Sequence, residues 1–125
     1  ASVCGTISGA DWDSLSTPIR PDFLQISGTA DDVIPMNGDI QLFGSWAGAP
    51  PIDSIYEFFG QGANCSIADT LQHNTNTIEY VYRSCQDQQQ YQLTVLSDWG
   101  HGWPLSTSIN KDIHASHYIW QFFNN

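Results

Sequence analysis

The sequence predicts a mixed α/β fold, in which short strands alternate with amphipathic helices. Two apolar runs of strand length come first, an apolar stripe with helical spacing follows, and two alternating segments precede a mainly apolar final helix. The order strand, strand, helix, strand, strand, helix is typical of α/β proteins, whose helices cover the faces of a sheet. We therefore expect residues 1–125 to form a single domain containing a piece of such a sheet.

The first two predicted strands are short apolar runs that end in glycine. Residues 1–9 are small or β-branched, and residues 23–26 (Phe-Leu-Gln-Ile) are followed by Ser27-Gly28. Strands that are apolar on both faces indicate a parallel sheet covered by helices. Cys4 lies in the first run, where we expect a buried free thiol.

The middle of the chain predicts one helix and a pair of neighbouring strands. Apolar residues recur at i, i+3, i+4 and i+7 over residues 52–59, and Gly60 ends this pattern, so the helix should lay its apolar face on the sheet. Residues 78–84 and 91–97 alternate between apolar and polar side chains. Their pattern predicts a hairpin or two adjacent strands.

The last predicted element is a helix over residues 112–123, with Trp120 expected in the core. Asp112, His114 and His117 have a spacing that could place metal ligands on one helical face. Two imidazoles and one carboxylate without a thiolate nevertheless favour a polar helix surface.

The charge balance excludes two classes of partner. The chain has 3 Lys+Arg against 13 Asp+Glu and a formal net charge of −10. Nucleic acids and anionic membrane surfaces are bound through clusters of Lys and Arg, and the three basic residues here are scattered singly. No apolar run approaches the roughly 20 residues that a membrane-spanning helix needs.

The three cysteines predict one disulfide. Cys65 and Cys85 stand in polar, turn-like contexts, which suits a disulfide in an exported protein. The alternative is three reduced thiols in a cytosolic protein.

Two loops that directly follow predicted strands contain the residues most suited to catalysis. Asp31 follows the second strand, and His101 lies between Gly100 and Gly102 after the last strand. Loops at the carboxyl ends of parallel strands lie close together in α/β sheets. An Asp that orients a His, which acts as the general base, is the pair used in acyl transfer. The alternative is a loop Asp that caps nearby amides and a separate surface His.

These loops resemble a known family. Residues 28–38 resemble the acid-bearing loop of α/β-hydrolases, and residues 100–104 with 119–123 resemble the C-terminal end of the secreted polyhydroxybutyrate depolymerase and feruloyl esterase family. The resemblance runs in order over nearly the whole chain. It includes residues 1–9, which resemble the strand after the nucleophile helix, and Asn64-Cys65, which resembles the family's Asn-Gly-Cys region.

The resemblance implies a serine carboxylic-ester hydrolase, secreted or periplasmic, with Asp31 as triad acid and His101 as general base. Asp32 is disfavoured because the family's acid stands four residues before the proline. Cys85 is the implied disulfide partner of Cys65. The implied substrates are hydroxyalkanoate polyesters or feruloyl esters of plant polysaccharide, and no metal or organic cofactor is implied.

The nucleophile of such an enzyme is missing from these residues. No serine or cysteine has glycine at both −2 and +2, as the Gly-x-Ser-x-Gly turn requires. The resemblance therefore implies the C-terminal half of an α/β-hydrolase sheet with flanking helices. An N-terminal half would supply the serine and the oxyanion hole, and we expect the chain alone to show little or no hydrolysis.

Tryptophans suggest a rival interpretation. Trp99 and Trp103 flank His101 and are the candidates for a substrate pocket. The same side chains could instead bind sugar rings or a polymer surface in a secreted, non-catalytic binding module.

Overall fold

The computed structural model describes residues 1–16, 21–40, 46–61, 63–105 and 113–124. These residues form a mixed α/β structure around a five-stranded sheet, with a separate two-stranded ladder. In chain order the elements are β1 (Ser2–Val3), α1 (Gly9–Trp12), β2 (Phe23–Gly28), β3 (Asp39–Ile40), β4 (Gly48–Ala49), α2 (Ile52–Gly60), β5 (Ile67–Asn74), β6 (Thr77–Arg83), a 3-10 turn (Gln86–Gln88), β7 (Tyr91–Leu96) and α3 (Ala115–Phe123).

The main sheet has the strand order β1-β2-β7-β6-β5. Strands β1, β2 and β7 are parallel, whereas β6 pairs antiparallel with β7 and β5 pairs antiparallel with β6. The predicted adjacency of 78–84 and 91–97 is therefore confirmed. Strand β5 was not predicted, because nearly all of its side chains are exposed and carry no apolar alternation.

Helices cover both faces of the sheet. Helix α2 packs against Tyr91 and Leu93 on one face, as its apolar stripe predicted. Helix α3 packs against Leu24, Ile26 and Leu96 on the other face. Neighbouring residues of a strand point to opposite faces, so β2 and β7 contribute to both layers of the core. This explains their continuous apolar character.

The first predicted strand is much shorter than residues 1–9. Regular pairing covers only Ser2–Val3, and Cys4 takes a left-handed conformation with φ of 49°. The chain then forms the short helix α1, where the Ser8 hydroxyl accepts a hydrogen bond from the Asp11 amide at 3.1 Å. A positive φ is incompatible with extended strand geometry, which explains the early end of β1.

The prediction that Trp120 lies in the core is wrong. Its side chain is 67% exposed. The stripe of α3 that packs on the sheet has positions at i, i+3, i+4 and i+7, namely the buried Ala115 and Phe122 and the partly buried Tyr118 and Ile119, and Trp120 lies outside it. The helix begins at Ala115, and the predicted start at Asp112 lies outside the described residues.

Candidate active site

The acid-bearing and histidine-bearing loops meet where β2 and β7 end. Gly28 and Leu96 are register partners at the last position of the two parallel strands. Beyond them, the Thr29 amide donates to the Leu96 carbonyl at 3.0 Å, and the Ala30 amide donates to the Trp99 carbonyl at 3.0 Å. These bonds join the two loops along their backbones.

A side chain adds a further connection between the loops. The Asp98 amide donates to the Thr29 hydroxyl at 2.9 Å, and Asp98 has a φ of 54°. Aspartate tolerates this left-handed conformation better than most residues. The turn after β7 is therefore fixed before the chain reaches His101.

The structure brings Asp31 and His101 together. Nδ1 of His101 lies 3.0 Å from Oδ2 and 3.1 Å from Oδ1 of the Asp31 carboxylate. The Asp31 side chain is only 1% exposed, whereas that of His101 is 41% exposed. A buried carboxylate therefore holds one nitrogen of a ring that remains accessible to solvent.

Asp31 also organises its own loop. Its Oδ1 accepts hydrogen bonds from the amides of Val33 at 2.9 Å and Ile34 at 2.8 Å. The two interpretations of Asp31 from sequence thus coexist, since the carboxylate caps nearby amides and contacts the histidine. Asp32, the disfavoured neighbour, is exposed.

Opposing effects act on the acid's ionisation. Burial alone would raise the pKa of Asp31, but the Ile34 amide, the His101 ring and the Val33 amide together lower it below the usual 3.8. The carboxylate is therefore ionised at neutral pH. An ionised Asp accepts the proton on Nδ1 and leaves Nε2 of His101 as the ring's basic nitrogen.

Cys4 lies under the histidine loop, a position that the sequence did not indicate. Its thiol donates to the Gly102 carbonyl at 3.3 Å. Burial raises the pKa of this thiol and the Asp31 carboxylate raises it further, which together outweigh the opposing effect of a backbone hydrogen bond of Gly102. Cys4 is the buried free cysteine that was expected, and it stays protonated as a hydrogen-bond donor.

The two tryptophans beside His101 have different environments. The Trp99 indole donates to the Gly102 carbonyl at 2.9 Å and packs against the core under α3, which closes the loop around His101. Trp103 is 50% exposed. Of the two predicted pocket residues, Trp103 is thus the one more available to a ligand.

The predicted disulfide joins Cys65 to Cys85. Such bonds persist in oxidising compartments, so this one is compatible with an extracellular protein. None of the helices in the described parts of the chain combines the length and the apolar character needed to cross a bilayer.

The positions considered as metal ligands on the last helix do not form a cluster among the described residues. His114 and His117 are both exposed, and Asp112 lies outside the described residues. Within the described ranges, no group of three or more His, Cys, Asp or Glu side chains is placed to hold a metal ion.

Comparison with known proteins adds no family assignment. No family model matches the chain, and neither a curated protein nor a solved structure matches it with statistical significance. Arguments about function therefore rest on the site itself.

Proposed function

We propose that this chain supplies the acid and the base of a Ser-His-Asp triad in a carboxylic-ester hydrolase. The observation that carries the proposal is the contact between His101 Nδ1 and the buried Asp31 carboxylate at 3.0 Å. An Asp in this position fixes the imidazole tautomer and stabilises the imidazolium that forms during acyl transfer. The exposed ring of His101 is free to approach a nucleophile and its substrate.

In the complete enzyme, His101 Nε2 would accept the proton of a serine hydroxyl as that oxygen attacks the ester carbonyl. The protonated ring would then give the proton to the leaving alcohol, which leaves an acyl-enzyme. Water, deprotonated by the same nitrogen, would hydrolyse that intermediate and release the acid. Asp31 remains ionised throughout.

The serine would come from a polypeptide segment outside these 125 residues, which carry no Gly-x-Ser-x-Gly sequence. Strand β1 is at the edge of the sheet and pairs with β2 among the described residues. A further parallel strand added beside β1 would end at the same edge of the sheet as Asp31 and His101. A nucleophile on the turn after that strand would therefore face the pair.

Cys4 is a poor substitute for this serine despite its proximity. Nucleophilic attack requires a thiolate, and burial raises the pKa of the Cys4 thiol. Its hydrogen is also donated to the Gly102 carbonyl rather than to the ring of His101.

The substrate class follows from the resemblance stated above: hydroxyalkanoate polyesters or feruloylated polysaccharide. The half-exposed Trp103 stands two residues after His101, where an aromatic surface could contact a polymer chain. The disulfide supports a secreted or periplasmic location, in which an enzyme would meet such insoluble substrates.

The test is hydrolysis of a p-nitrophenyl ester by a form of the protein that includes the nucleophile-bearing segment. We expect His101→Ala to reduce kcat by several orders of magnitude, because members of a triad act as a unit. Asp31→Asn should reduce it by up to about 10⁴-fold through the wrong tautomer. His117→Ala and Asp32→Asn are matched controls on exposed residues and should retain activity. An unchanged rate in His101→Ala would show that the triad assignment is wrong.

Exposed aromatic side chains favour a second candidate, a secreted non-catalytic module for carbohydrate or polymer surfaces. Trp46, Trp103 and Trp120 all expose half of their surface or more. Binding of the chain to insoluble polymer that is lost in a Trp103→Ala variant would support this candidate over the esterase.

A further inference from the structure

A polar groove of about 510 Å³ lies on the α3 face of the sheet. It is bordered by β6, by β7 and by helix α3, and its volume is within the range of ligand pockets, roughly 300–1,000 Å³. The polar side chains that line it are Glu79, Arg83, Gln90, Gln92, Tyr118 and Gln121.

Two amides in this groove are held in fixed positions. Nε2 of Gln90 donates to the Phe122 carbonyl at 2.7 Å. Nε2 of Gln92 donates to the Tyr118 hydroxyl at 2.5 Å, and that hydroxyl lies 3.1 Å from the Thr94 hydroxyl. Because both amides are tied through nitrogen, their carbonyl oxygens are preorganised acceptors for a ligand's hydroxyl groups.

A buried carboxylate adds a further acceptor. Glu79 is 5% exposed and lines the groove, and its Oε2 is paired with His73 Nε2 at 2.8 Å. That pairing leaves Oε1 to accept a hydrogen bond from a ligand. A carboxylate accepts stronger hydrogen bonds than an amide does, so Glu79 would be the principal polar contact.

The charge of the groove points to a neutral ligand. Among the described residues that line it, one is acidic and one is basic, Glu79 and Arg83, although the whole chain has a net charge of −10. The cavity on the opposite face differs, since it is lined by Asp53, Glu57 and Asp69 and by no described basic residue. One acidic and one basic side chain together with several amides suit a ligand that carries no charge and that both donates and accepts hydrogen bonds.

We propose that this groove binds a short stretch of a neutral polysaccharide. Sugar hydroxyls match the fixed amide oxygens, the Glu79 carboxylate and the Arg83 guanidinium, and the Tyr118 ring offers an apolar surface for a sugar face. Gln90 directly precedes β7 and Gln92 is its second residue, whereas His101 lies beyond its end. The groove is therefore separate from the Asp31–His101 pair and does not depend on ester hydrolysis.

The experiment is a titration of ¹⁵N-labelled protein with xylohexaose and with cellohexaose, followed by amide chemical shifts. We expect shifts in residues 79–83, 90–92 and 118–122 with at least one of these neutral oligosaccharides. Gln121→Ala and Gln92→Ala should each weaken binding roughly three- to tenfold, as the loss of one hydrogen bond predicts. Gln72→Ala, a matched exposed glutamine on β5, should leave affinity unchanged.

Gln121 is exposed on α3, so its variant remains informative even if loss of the Gln92–Tyr118 bond unfolds the Gln92 variant. His101→Ala should bind as well as the unaltered protein, which separates this proposal from the esterase proposal. Absence of shifts with both neutral hexamers would overturn the proposal. So would tighter binding of a chitosan or oligogalacturonate hexamer, or binding that depends on Trp103 and not on Gln121.

Discussion

Gly28 and Trp99 approach so closely that residue 28 can have no side chain. A β-carbon built on Gly28 would lie 2.1 Å from the carbonyl oxygen of Trp99. That carbonyl accepts the Ala30 amide at 3.0 Å and so joins the acid loop to the histidine loop. The alignment of Asp31 with His101 therefore depends on a glycine three residues before the acid.

Gly28→Ala should separate the two loops, because the obstructing atom is backbone and cannot rotate away. We expect a loss of stability of about 1–3 kcal/mol, as for overpacked cores, measured by urea unfolding. We expect the Asp31 bond to shift the His101 Nδ1–H proton resonance downfield in the unaltered protein, and this shift should be absent in the variant. Gly100→Ala is the matched control, since the nearest atom to its β-carbon is 3.7 Å away. Equal stability of the two variants would contradict this account.

Asp31→Asn should change how stability depends on pH. The folded protein holds the pKa of Asp31 below 3.8, so the ionised acid stabilises the fold at neutral pH. This contribution is fully present above the unfolded value near 3.8 and is lost as the pH falls through the lower folded pKa. The difference in unfolding free energy between the protein and the variant should therefore shrink on acidification. A difference that is constant from neutral pH to acid would exclude this linkage.

Thr77→Val should stabilise the protein. The Thr77 side chain is fully buried, and its hydroxyl oxygen has no hydrogen-bond partner among the described residues. Valine has nearly the same shape and removes the desolvation cost of that hydroxyl, which is roughly 1–3 kcal/mol. Thermal unfolding should show a higher Tm. Thr70→Val, on the exposed strand β5, serves as the control and should change Tm little.

Cys4→Ala should loosen the histidine loop while leaving both Asp31 and His101 in place. The variant loses the donor to the Gly102 carbonyl, which the Trp99 indole also contacts. Faster amide hydrogen exchange in residues 100–103 is the expected result. Cys4→Ser restores a donor and should slow the exchange again. Unaltered exchange in Cys4→Ala would show that Trp99 alone holds the loop.

Loss of the Cys65–Cys85 bond should destabilise the protein. The bond closes a loop with a sequence separation of 20, for which the chain-entropy relation predicts about 3 kcal/mol. The double variant Cys65→Ala/Cys85→Ala should show this loss in urea unfolding, and reducing agent should have no further effect on it. If reducing agent left the unaltered protein equally stable, the bond would contribute nothing to folding.

Much of the secondary structure could be predicted because its signal is local. The helical spacing over residues 52–59 predicted α2 within one residue of its observed end, and the alternation in 91–97 predicted β7. Strand β5 gave no such signal, since it pairs with β6 at the sheet edge and buries little. Trp120 was misplaced because the apolar segment of α3 is wider than the stripe that the sheet covers.

The sequence by itself determined the residue types at the site: an acid after one strand, a histidine between glycines after another, and two cysteines in turns. It could not determine that Asp31 is buried while His101 is exposed, that Cys4 lies beneath the loop, or that Gly28 admits the Trp99 backbone. Local patterns depend on near neighbours in the chain, whereas these relationships depend on strands far apart in sequence. The parallel pairing of β2 with β7 is what brings the Asp31 loop and the His101 loop within bonding distance.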